Sequence, residues 1–168
     1  MVMEASQGYR LGQNEGRDQL WFLVTLMTVK AGGDETAGAF TLIDCWCPAG
    51  FGPPTHRHDA EDEAFYVLDG DATVRCGDDE WQVGPGDFVL LPRGVAHDFH
   101  VGEAGPLHIL QITSPAQFER FAAELGVPAT SPTLPPRPTI PDPQTMAAVH
   151  ERYHIALLGP PQHAGGVG

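Results

Sequence analysis

Three histidines and one glutamate are spaced so that their side chains could bind a metal ion. His56 and His58 are two residues apart, so on a β-strand their imidazoles project from the same face. Glu63 follows after a short acidic loop, at the start of the next expected strand. His97 lies on a later strand that returns after a tight turn. The spacing therefore predicts that these four side chains converge.

Three neutral imidazoles and one carboxylate suit a divalent transition metal ion. This donor set favours iron, nickel, cobalt, manganese or zinc, and it leaves room for water and substrate in an octahedral shell. The Irving–Williams order does not choose among these ions, because availability in the cell and site geometry decide which one is bound. We therefore expect one divalent ion in an open site, held by His56, His58, Glu63 and His97.

The loop before Glu63 contains other carboxylates that could compete for the ion. Asp59, Glu61 and Asp62 form a short acidic run that is typical of a solvated turn. Glu63, which begins the next strand, is the expected ligand. Glu61 is the alternative ligand if the loop is registered differently.

The remaining histidines are not expected to bind the ion. His100 faces away from the side of its strand that carries the ligand, so we expect it at the surface. His108 lies on a later strand, where we expect a role in the core or beside the ligands rather than ligation. No chemistry is assigned to His150, His154 or His163.

Charge and composition exclude several classes of function. The 168 residues fit one domain, and 22 acidic against nine basic side chains give a net charge of −13. We therefore expect neither nucleic acid nor an anionic membrane as a partner. The N-terminal residues lack the pattern of a signal peptide, and no run reaches the roughly 18 apolar residues of a membrane span. The cytoplasm is the expected location.

The cysteines are expected to be reduced and packed. Cys45 and Cys47 share one face of an expected strand, and an odd total of three does not make a disulfide framework. A metal site at this pair would need further soft ligands, and only Cys76 is available.

Most of the chain alternates apolar and polar residues with a period of two, which predicts β-strands. Short strands rich in aromatic and β-branched residues, separated by Gly, Pro and Asp turns, are typical of a sandwich or barrel. The expected strands are 20–29, 39–47, 63–70, 72–77, 80–84, 87–92, 96–101 and 107–113.

Two helices and a proline-rich arm are expected after residue 113. Ser114 is the expected N-cap of the first helix, with proline at its first position, and Gly126 ends it. An extended arm over 127–143 leads to a last helix at about 143–154, capped by Asp142. The expected parts are an N-terminal segment 1–19, a barrel with its following helix 20–126, the arm and last helix 127–162, and a disordered tail 163–168.

Two segments of the chain resemble the two motifs of the cupin superfamily, residue for residue. The first consists of Gly50, His56, His58, Glu63 and Gly70, and the second of Gly86, Pro92, Gly94 and His97. The second motif ordinarily ends in Asn, where this chain has Val101, an inward-facing position that adds apolar lining. Flanking segments over about residues 20–160 resemble the single-domain quercetin dioxygenase-like cupins.

This resemblance implies an all-β fold, an antiparallel jelly-roll barrel with a short C-terminal helical arm. It also implies a metal-dependent dioxygenase of the quercetinase type, acting on a flavonol-like or enolic aromatic molecule, with Glu63 as base as well as ligand. Cupins of this kind commonly pair through N-terminal strands, so the apolar stretch 20–29 indicates a homodimer. Phe51, Phe65 and Phe99, like Val101, would line a cavity for an aromatic substrate, although aromatic side chains facing into a small barrel are also ordinary core.

Two other classes of function remain open at this point. One is a non-oxidative metal cupin, such as an isomerase, cyclase, decarboxylase or lyase, with the ion as a Lewis acid. The other is a small-molecule-binding cupin without turnover. The fold does not separate these classes. Dioxygen uptake distinguishes the first class from the others, and product formation under argon distinguishes a non-oxidative enzyme from a binding protein.

Overall fold

The strands follow the alternation of the sequence. In the computed structural model, which describes residues 7–160, every second side chain of Thr41–Cys47 is buried, from Thr41 through Ile43 and Cys45 to Cys47. The elements in chain order are β1 (Asp18–Phe22), β2 (Thr25–Ala31), α1 (Gly33–Thr36), β3 (Thr41–Cys47), β4 (Thr55–His58), β5 (Asp62–Asp69), β6 (Ala72–Cys76), β7 (Asp79–Val83), β8 (Phe88–Leu91), β9 (His97–Val101), β10 (Leu107–Ser114), α2 (Phe118–Leu125), β11 (Val127–Pro128), α3 (Pro143–Arg152) and β12 (Ile155–Gly159).

These strands form two antiparallel sheets. The larger sheet has the order β11-β1-β2-β3-β10-β5-β8, and the smaller sheet has the order β12-β4-β9-β6-β7. Their inner faces bury the apolar side chains that alternate along the strands, and burying each large aliphatic side chain contributes about 1.5–3 kcal/mol. Fully buried members of this core include Ile43, Val67, Val74, Leu91, Val101 and Ile109.

The two sheets do not close into the barrel that we expected. Within residues 7–160 no strand of one sheet is paired with a strand of the other, and β8 and β11 end the larger sheet. The outer edge of β4 is occupied by β12, with Ile155 opposite His58 and Leu157 opposite His56. That edge is therefore not available to the larger sheet. The all-β antiparallel architecture is confirmed, and the closed barrel is wrong.

The expected single strand 20–29 is a hairpin of β1 and β2, in which Leu20 pairs with Met27. The chain reverses at Leu23, whose φ of 56° lies in the left-handed region. No glycine or proline marks this turn in the sequence, which explains why the two strands read as one. Within the chain the second edge of β1 is already paired with β11, so the homodimer stays a prediction.

The first long helix begins later than expected. Ser114 is the last residue of β10, where it pairs with Asp62 of β5, and its hydroxyl donates to the carbonyl of Ala39 at 2.8 Å. The Ser114–Pro115 bond is cis, and Gln117 rather than Ser114 precedes α2. The predicted end of this helix at Gly126 is confirmed.

The C-terminal segment returns to the sheets. The N-cap predicted for α3 is confirmed, because the carboxylate of Asp142 accepts from the backbone N–H groups of Gln144 and Thr145. Strand β12 was not predicted. None of the helices within residues 7–160 is long and apolar enough to span a membrane. The expected tail 163–168, with His163, lies outside the described residues.

Candidate metal centre

The four predicted ligands come from both sheets. His56 and His58 lie on β4, and His97 begins β9, where it pairs directly with His56. Glu63 is on β5 of the larger sheet, next to Thr113 of β10. The sheets therefore meet at this cluster, which we call the ligand cluster.

A glycine turn before β9 is hydrogen-bonded to β4 of the smaller sheet. Gly94 adopts a φ of 79°, which side-chain-bearing residues rarely tolerate. In this conformation its N–H donates to the carbonyl of His58 at 2.8 Å. The turn before His97 is thereby tied to the strand that carries the other two histidines.

The ligand atoms are close enough to share one ion. One donor atom from each of the four side chains lies within 4.8 Å of the others. Glu63 Oε2 is 3.0 Å from His97 Nε2 and 3.7 Å from His58 Nε2. Adjacent ligands bound at about 2.1 Å to one ion are separated by about 3 Å. The His-His-Glu-His cluster could therefore hold a metal ion.

Each histidine has its Nδ1 engaged away from the cluster. Nδ1 of His56 is 2.8 Å from the carbonyl of Pro54, and Nδ1 of His97 is 3.0 Å from the carbonyl of Val95. A carbonyl oxygen can only accept, so Nδ1 carries the proton in both rings. The Nε2 atoms are then the ones that face the cluster, in the orientation that metal-binding imidazoles adopt when a backbone carbonyl or carboxylate holds the other nitrogen.

His58 supplies a direct indication that the cluster fits a cation. Its ring is buried, and its Nε2 has no hydrogen-bond partner within the part of the chain that the structure describes. A buried polar atom without a partner costs free energy. A divalent ion coordinated by Nε2 would satisfy it, so the residues present fit the expected metal.

The charge state of the cluster also suits a cation. Burial alone would raise the pKa of Glu63, but the charge of His58 and the hydrogen bond and charge of His97 outweigh it and lower this pKa to about 2. Burial lowers the pKa of His56 to about 4, with the charge of His97 acting in the same direction. At neutral pH the carboxylate is ionised and the imidazole of His56 is neutral, as metal ligands must be.

Glu61 does not point to the ligand cluster, so its role as an alternative ligand is wrong. Its side chain is fully buried, and Oε1 is 2.8 Å from Nδ1 of His58. Burial raises the pKa of Glu61. The carboxylate lies behind the imidazole and fixes its Nδ1–H tautomer, so Glu61 acts on the cluster through His58. The neighbouring acids are paired outward, Asp59 with Arg57 and Asp62 with Arg93.

Gln111 was missed by sequence reasoning. Its side chain is buried, and its Nε2 donates to Oε1 of Glu63 at 2.5 Å. One signal was present, because Gln111 interrupts the apolar alternation of Leu107 and Ile109 on β10 with a polar residue on the inward face. A buried amide needs a hydrogen-bond partner, and such a residue on an apolar stripe therefore indicates a polar site.

A cavity of about 170 Å³ lies between the sheets beside the cluster, with His56, His58 and Glu63 in its wall. Phe51, Phe65 and Phe99 also contribute to the wall. The predicted lining residue Val101 does not contribute to the wall; it is buried in the core opposite Ala72 of β6. Other wall residues come from the helices and β12, among them Phe118, Phe121, Met146, Ile155 and Leu157.

His150, to which no chemistry was assigned, also forms part of the cavity wall. Its Nδ1 donates to the carbonyl of Met146 at 2.7 Å, and its ring meets Phe121 edge to face. No local pattern predicts this position of His150, because it depends on how α3 packs against α2.

His100 and His108 lie away from the ligand cluster. His100 is only partly exposed, with 31% of its side chain accessible, and it lies 3.7 Å from Glu103. His108 stacks on Trp46 and is 2.8 Å from Asp44, on the outer face of the larger sheet. Neither is close to the predicted ligands.

The cysteines are buried thiols. Cys45 and Cys47 both line the cavity, and their Sγ atoms are 3.8 Å apart. The hydrogen bond to Cys47 and burial raise the pKa of Cys45. A neutral, buried thiol is chemically inert, in agreement with the reduced, packed state that we expected.

Comparison with known proteins identifies related sequences. Residues 46–113, which contain the whole ligand cluster, match the family model described as a cupin domain. A quercetin 2,3-dioxygenase of Bacillus subtilis is 29% identical over 137 residues, which make up 82% of this chain and 38% of that protein. The chain spans between 35% and 54% of the length of the curated relatives it matches.

Solved structures agree with the fold. The polyketide cyclase RemF from Streptomyces resistomycificus superposes with a TM-score of 0.55 at 19% identity, over 83% of this chain and 91% of that chain. KdgF from Halomonas sp. superposes with a TM-score of 0.51 at 18% identity, over 57% of this chain and 83% of that chain. At these identities the likeness concerns the fold alone.

Proposed function

From the cupin domain matched over residues 46–113, we propose that this protein is a metal-dependent dioxygenase of the quercetinase type. Its substrate would be a flavonol-like or other enolic aromatic molecule, and its cofactor one divalent ion of iron, nickel, cobalt, manganese or zinc. His56, His58, His97 and Glu63 would hold the ion, and Glu63 would also act as the base.

One observation carries this proposal. An apolar, aromatic cavity adjoins the ligand cluster, and within residues 7–160 its wall contains no lysine or arginine. A phosphorylated or carboxylated substrate would find no positively charged side chain in such a wall, so any negative charge away from the ion would be unpaired, which costs free energy. A flat aromatic molecule with an acidic hydroxyl fits instead, with its ring against the phenylalanines and its oxygen at the metal.

The similarity to the quercetin 2,3-dioxygenase of Bacillus subtilis supports the same reading. The aligned segment includes the ligand cluster, because it covers 82% of this chain. Since this is only 38% of that protein, the substrate and the reaction stay part of the proposal.

The bound ion would supply a Lewis acid that lowers the pKa of the substrate hydroxyl and brings the substrate together with dioxygen. The three imidazoles would hold the ion through their Nε2 atoms. Glu63 takes the hydroxyl proton at Oε2, the carboxylate oxygen that faces His97 and His58. The aromatic wall, with Phe51, Phe65 and Phe99, orients the ring and excludes water from it. Addition of both atoms of dioxygen and loss of one ring carbon as carbon monoxide complete the balance.

The low pKa of Glu63 limits how it can act as a base. A carboxylate with a pKa of about 2 accepts a proton reluctantly from an ordinary hydroxyl. Proton transfer is feasible only if the hydroxyl becomes more acidic at the same time and the positive charges that lower the pKa of Glu63 move away from it. We therefore expect Glu63 to loosen from the ion as substrate arrives. Substrate-bound and substrate-free crystal structures with an immobile, ligated Glu63 would contradict this.

The direct test is dioxygen consumption with quercetin as substrate. The protein is reconstituted separately with iron, nickel, cobalt and manganese, and metal content is measured in each form. We expect dioxygen uptake with release of carbon monoxide in at least one form. Glu63→Gln is the matched variant, and it should retain more metal than a histidine variant while losing turnover. No uptake in any metal-loaded form would exclude the flavonol reaction.

A non-oxidative reaction is the second candidate. It is favoured by the polar groups of the cavity wall, because Glu63 can accept and donate a proton, with Gln111 orienting its carboxylate, without any oxidant. Product formation from an enolic aromatic substrate under argon would support it. Binding without turnover in both air and argon would instead indicate a binding protein.

A further inference from the structure

Gln111 is the one amide on the buried inward face of β10. The inward positions of this strand run from Leu107 through Ile109 and Gln111 to Thr113, and all four are buried. An apolar side chain at 111 would continue the stripe and pack in the core. The amide is stable there only because it has a partner.

That partner is the candidate metal ligand. Gln111 pairs with Phe65 across the strands, and Glu63 pairs with Thr113, so Gln111 and Glu63 are diagonal neighbours on adjacent strands. Gln111 Nε2 lies 2.5 Å from Glu63 Oε1. An ionised carboxylate can only accept hydrogen bonds, so the nitrogen of the amide faces it.

The two oxygens of Glu63 therefore have different surroundings. Oε1 is engaged by Gln111, whereas Oε2 faces His97 at 3.0 Å and His58 at 3.7 Å. We propose that Gln111 is a positioning residue, which holds Glu63 so that only Oε2 reaches the metal. The inference rests on the metal site of the proposed function, but not on the oxygenation reaction.

This division has a consequence for the open positions of the ion. A carboxylate that is free to rotate can bind through both oxygens and occupy two positions of the coordination shell. With Oε1 tied to Gln111, Glu63 takes one position and leaves another for the substrate. Gln111 and Glu63 both lie in the cavity wall, so the amide holds the carboxylate at the edge of the space that the substrate would enter.

The test compares Gln111→Met with Thr113→Val. Methionine keeps the length of the side chain but removes the donor. Thr113 is the next inward residue on β10, and its buried hydroxyl has no hydrogen-bond partner within residues 7–160. Valine therefore changes a buried polar group on the same strand without removing a hydrogen bond from the carboxylate. Cobalt(II) binding is measured by titration, and the visible absorption of the bound cobalt reports its coordination.

We expect Gln111→Met to bind cobalt about 10- to 100-fold more weakly, the range measured for partners that orient metal ligands. Its visible spectrum should also change, because the carboxylate is free to bind through both oxygens. Thr113→Val should match the parent protein in both measurements. An unchanged affinity and spectrum in a folded Gln111→Met variant would overturn the inference.

A double-mutant cycle separates positioning from a merely structural role. In a Glu63→Ala background there is no side-chain oxygen for Gln111 to hold, so Gln111→Met should no longer weaken cobalt binding. An equal loss in both backgrounds would overturn the inference. If methionine prevents folding, Gln111→Asn, which is one methylene shorter, serves in its place with the same expected direction. Since quercetin and dioxygen are absent, failure of the oxygenase proposal does not affect this test.

Discussion

At the scale of single residues, the function of the cluster depends on which ring nitrogen of each histidine carries the proton. Carbonyl groups of Pro54 and Val95 hold Nδ1 of His56 and His97. These contacts belong to the backbone, so no change of a neighbouring side chain can remove them. The orientation of the Nε2 atoms is thus a property of the local chain path.

Replacing His56 or His97 by alanine should lower metal content sharply while the protein stays folded. Each change removes one Nε2 from the cluster but leaves the sheets intact. Metal analysis after reconstitution and circular dichroism check the two parts. His108→Ala is the control, because that residue pairs with Asp44 on the outer face, and it should keep its metal. A full equivalent of metal in both cluster variants would refute the site.

The metal-depleted protein should be most stable near pH 6.5. The pKa of His56 is lowered from 6.5 to about 4 and that of Glu63 from 4.5 to about 2, so the unfolded chain binds more protons as pH falls. Stability should therefore decrease between pH 6.5 and 4, by up to about 3 kcal/mol from His56. Burial would lower the pKa of His58, but the carboxylates of Glu63 and Glu61 outweigh burial and raise this pKa. The stabilising contribution of His58 is therefore lost as pH rises above 6.5.

Urea unfolding across this pH range, in the presence of a chelator, measures the effect. The variant His56→Asn should show a flatter dependence between pH 6.5 and 4, since the group whose pKa falls to about 4 is gone. The same slope in both proteins would show that His56 does not carry the effect.

The ligands could be predicted from the sequence because side-chain parity along a strand is local. His56 and His58 share a face wherever the strand lies, and Glu63 begins the next strand. Gln111 and the inner position of Glu61 could not be predicted in the same way. Their roles depend on the register between β5 and β10 and on the path of the acidic loop, and no local pattern fixes either.

At the scale of elements, α3 is stabilised by the cap at its start and by the packing of one face. Val149 is its buried residue, and Asp142 caps its first turn through two backbone N–H groups. The helix carries Met146 and His150 into the cavity wall. Its stability therefore affects the cavity directly.

Asp142→Ala should destabilise α3 by about 1 kcal/mol, because two N–H groups at its start lose their acceptor. Hydrogen exchange over residues 143–152 should become faster, with little change in the larger sheet. Gln144→Ala, which alters an exposed side chain in the same turn, is the control and should leave exchange unchanged. Equal exchange in the Asp142 variant would mean that packing alone holds the helix.

Elements with local signals were predicted better than those defined by distant pairing. Asp142 followed by proline marked the start of α3, and Gly126 marked the end of α2. Strand β12 is a five-residue apolar run directly after a helix, and only its pairing with β4 makes it a strand. Ser114 had the sequence of an N-cap, but the ladder with β5 took it into β10.

At the scale of the whole molecule, charge is the property that governs the choice of ligand. The chain has a net charge of −13, and the cavity wall offers no lysine or arginine within residues 7–160. Anionic compounds therefore meet an unfavourable potential outside and, apart from the expected metal ion, no positively charged group of the wall inside. Among aromatic ligands this should favour neutral ones.

A sulfonated quercetin should bind more weakly than quercetin, and the difference should shrink as salt is added, because screening reduces the repulsion. Binding is measured by fluorescence quenching of the metal-loaded protein. The variant Leu157→Lys places a cation at a half-exposed position of the cavity wall and should reduce the difference. Equal affinities at low salt would contradict this account.

Whole-molecule features were the least predictable. The alternation of apolar and polar residues predicts many short strands. Whether two sheets close into a barrel depends on which strand edges remain unpaired. Here β12 occupies the edge of β4, and β8 and β11 bound the larger sheet. The apolar stretch 20–29, which suggested a homodimer, is largely buried within one chain, for instance at Leu26, Met27 and Val29.

The pairing of β12 with β4 also bears on how the protein is made. The ribosome synthesises His97 before Ile155, and at about 5–20 residues per second the interval is about 3–12 seconds. All four candidate ligands have been synthesised before the strand that flanks His56 exists. The smaller sheet is therefore completed only after all four candidate ligands have been made, and its last strand is the one that pairs with His56 and His58.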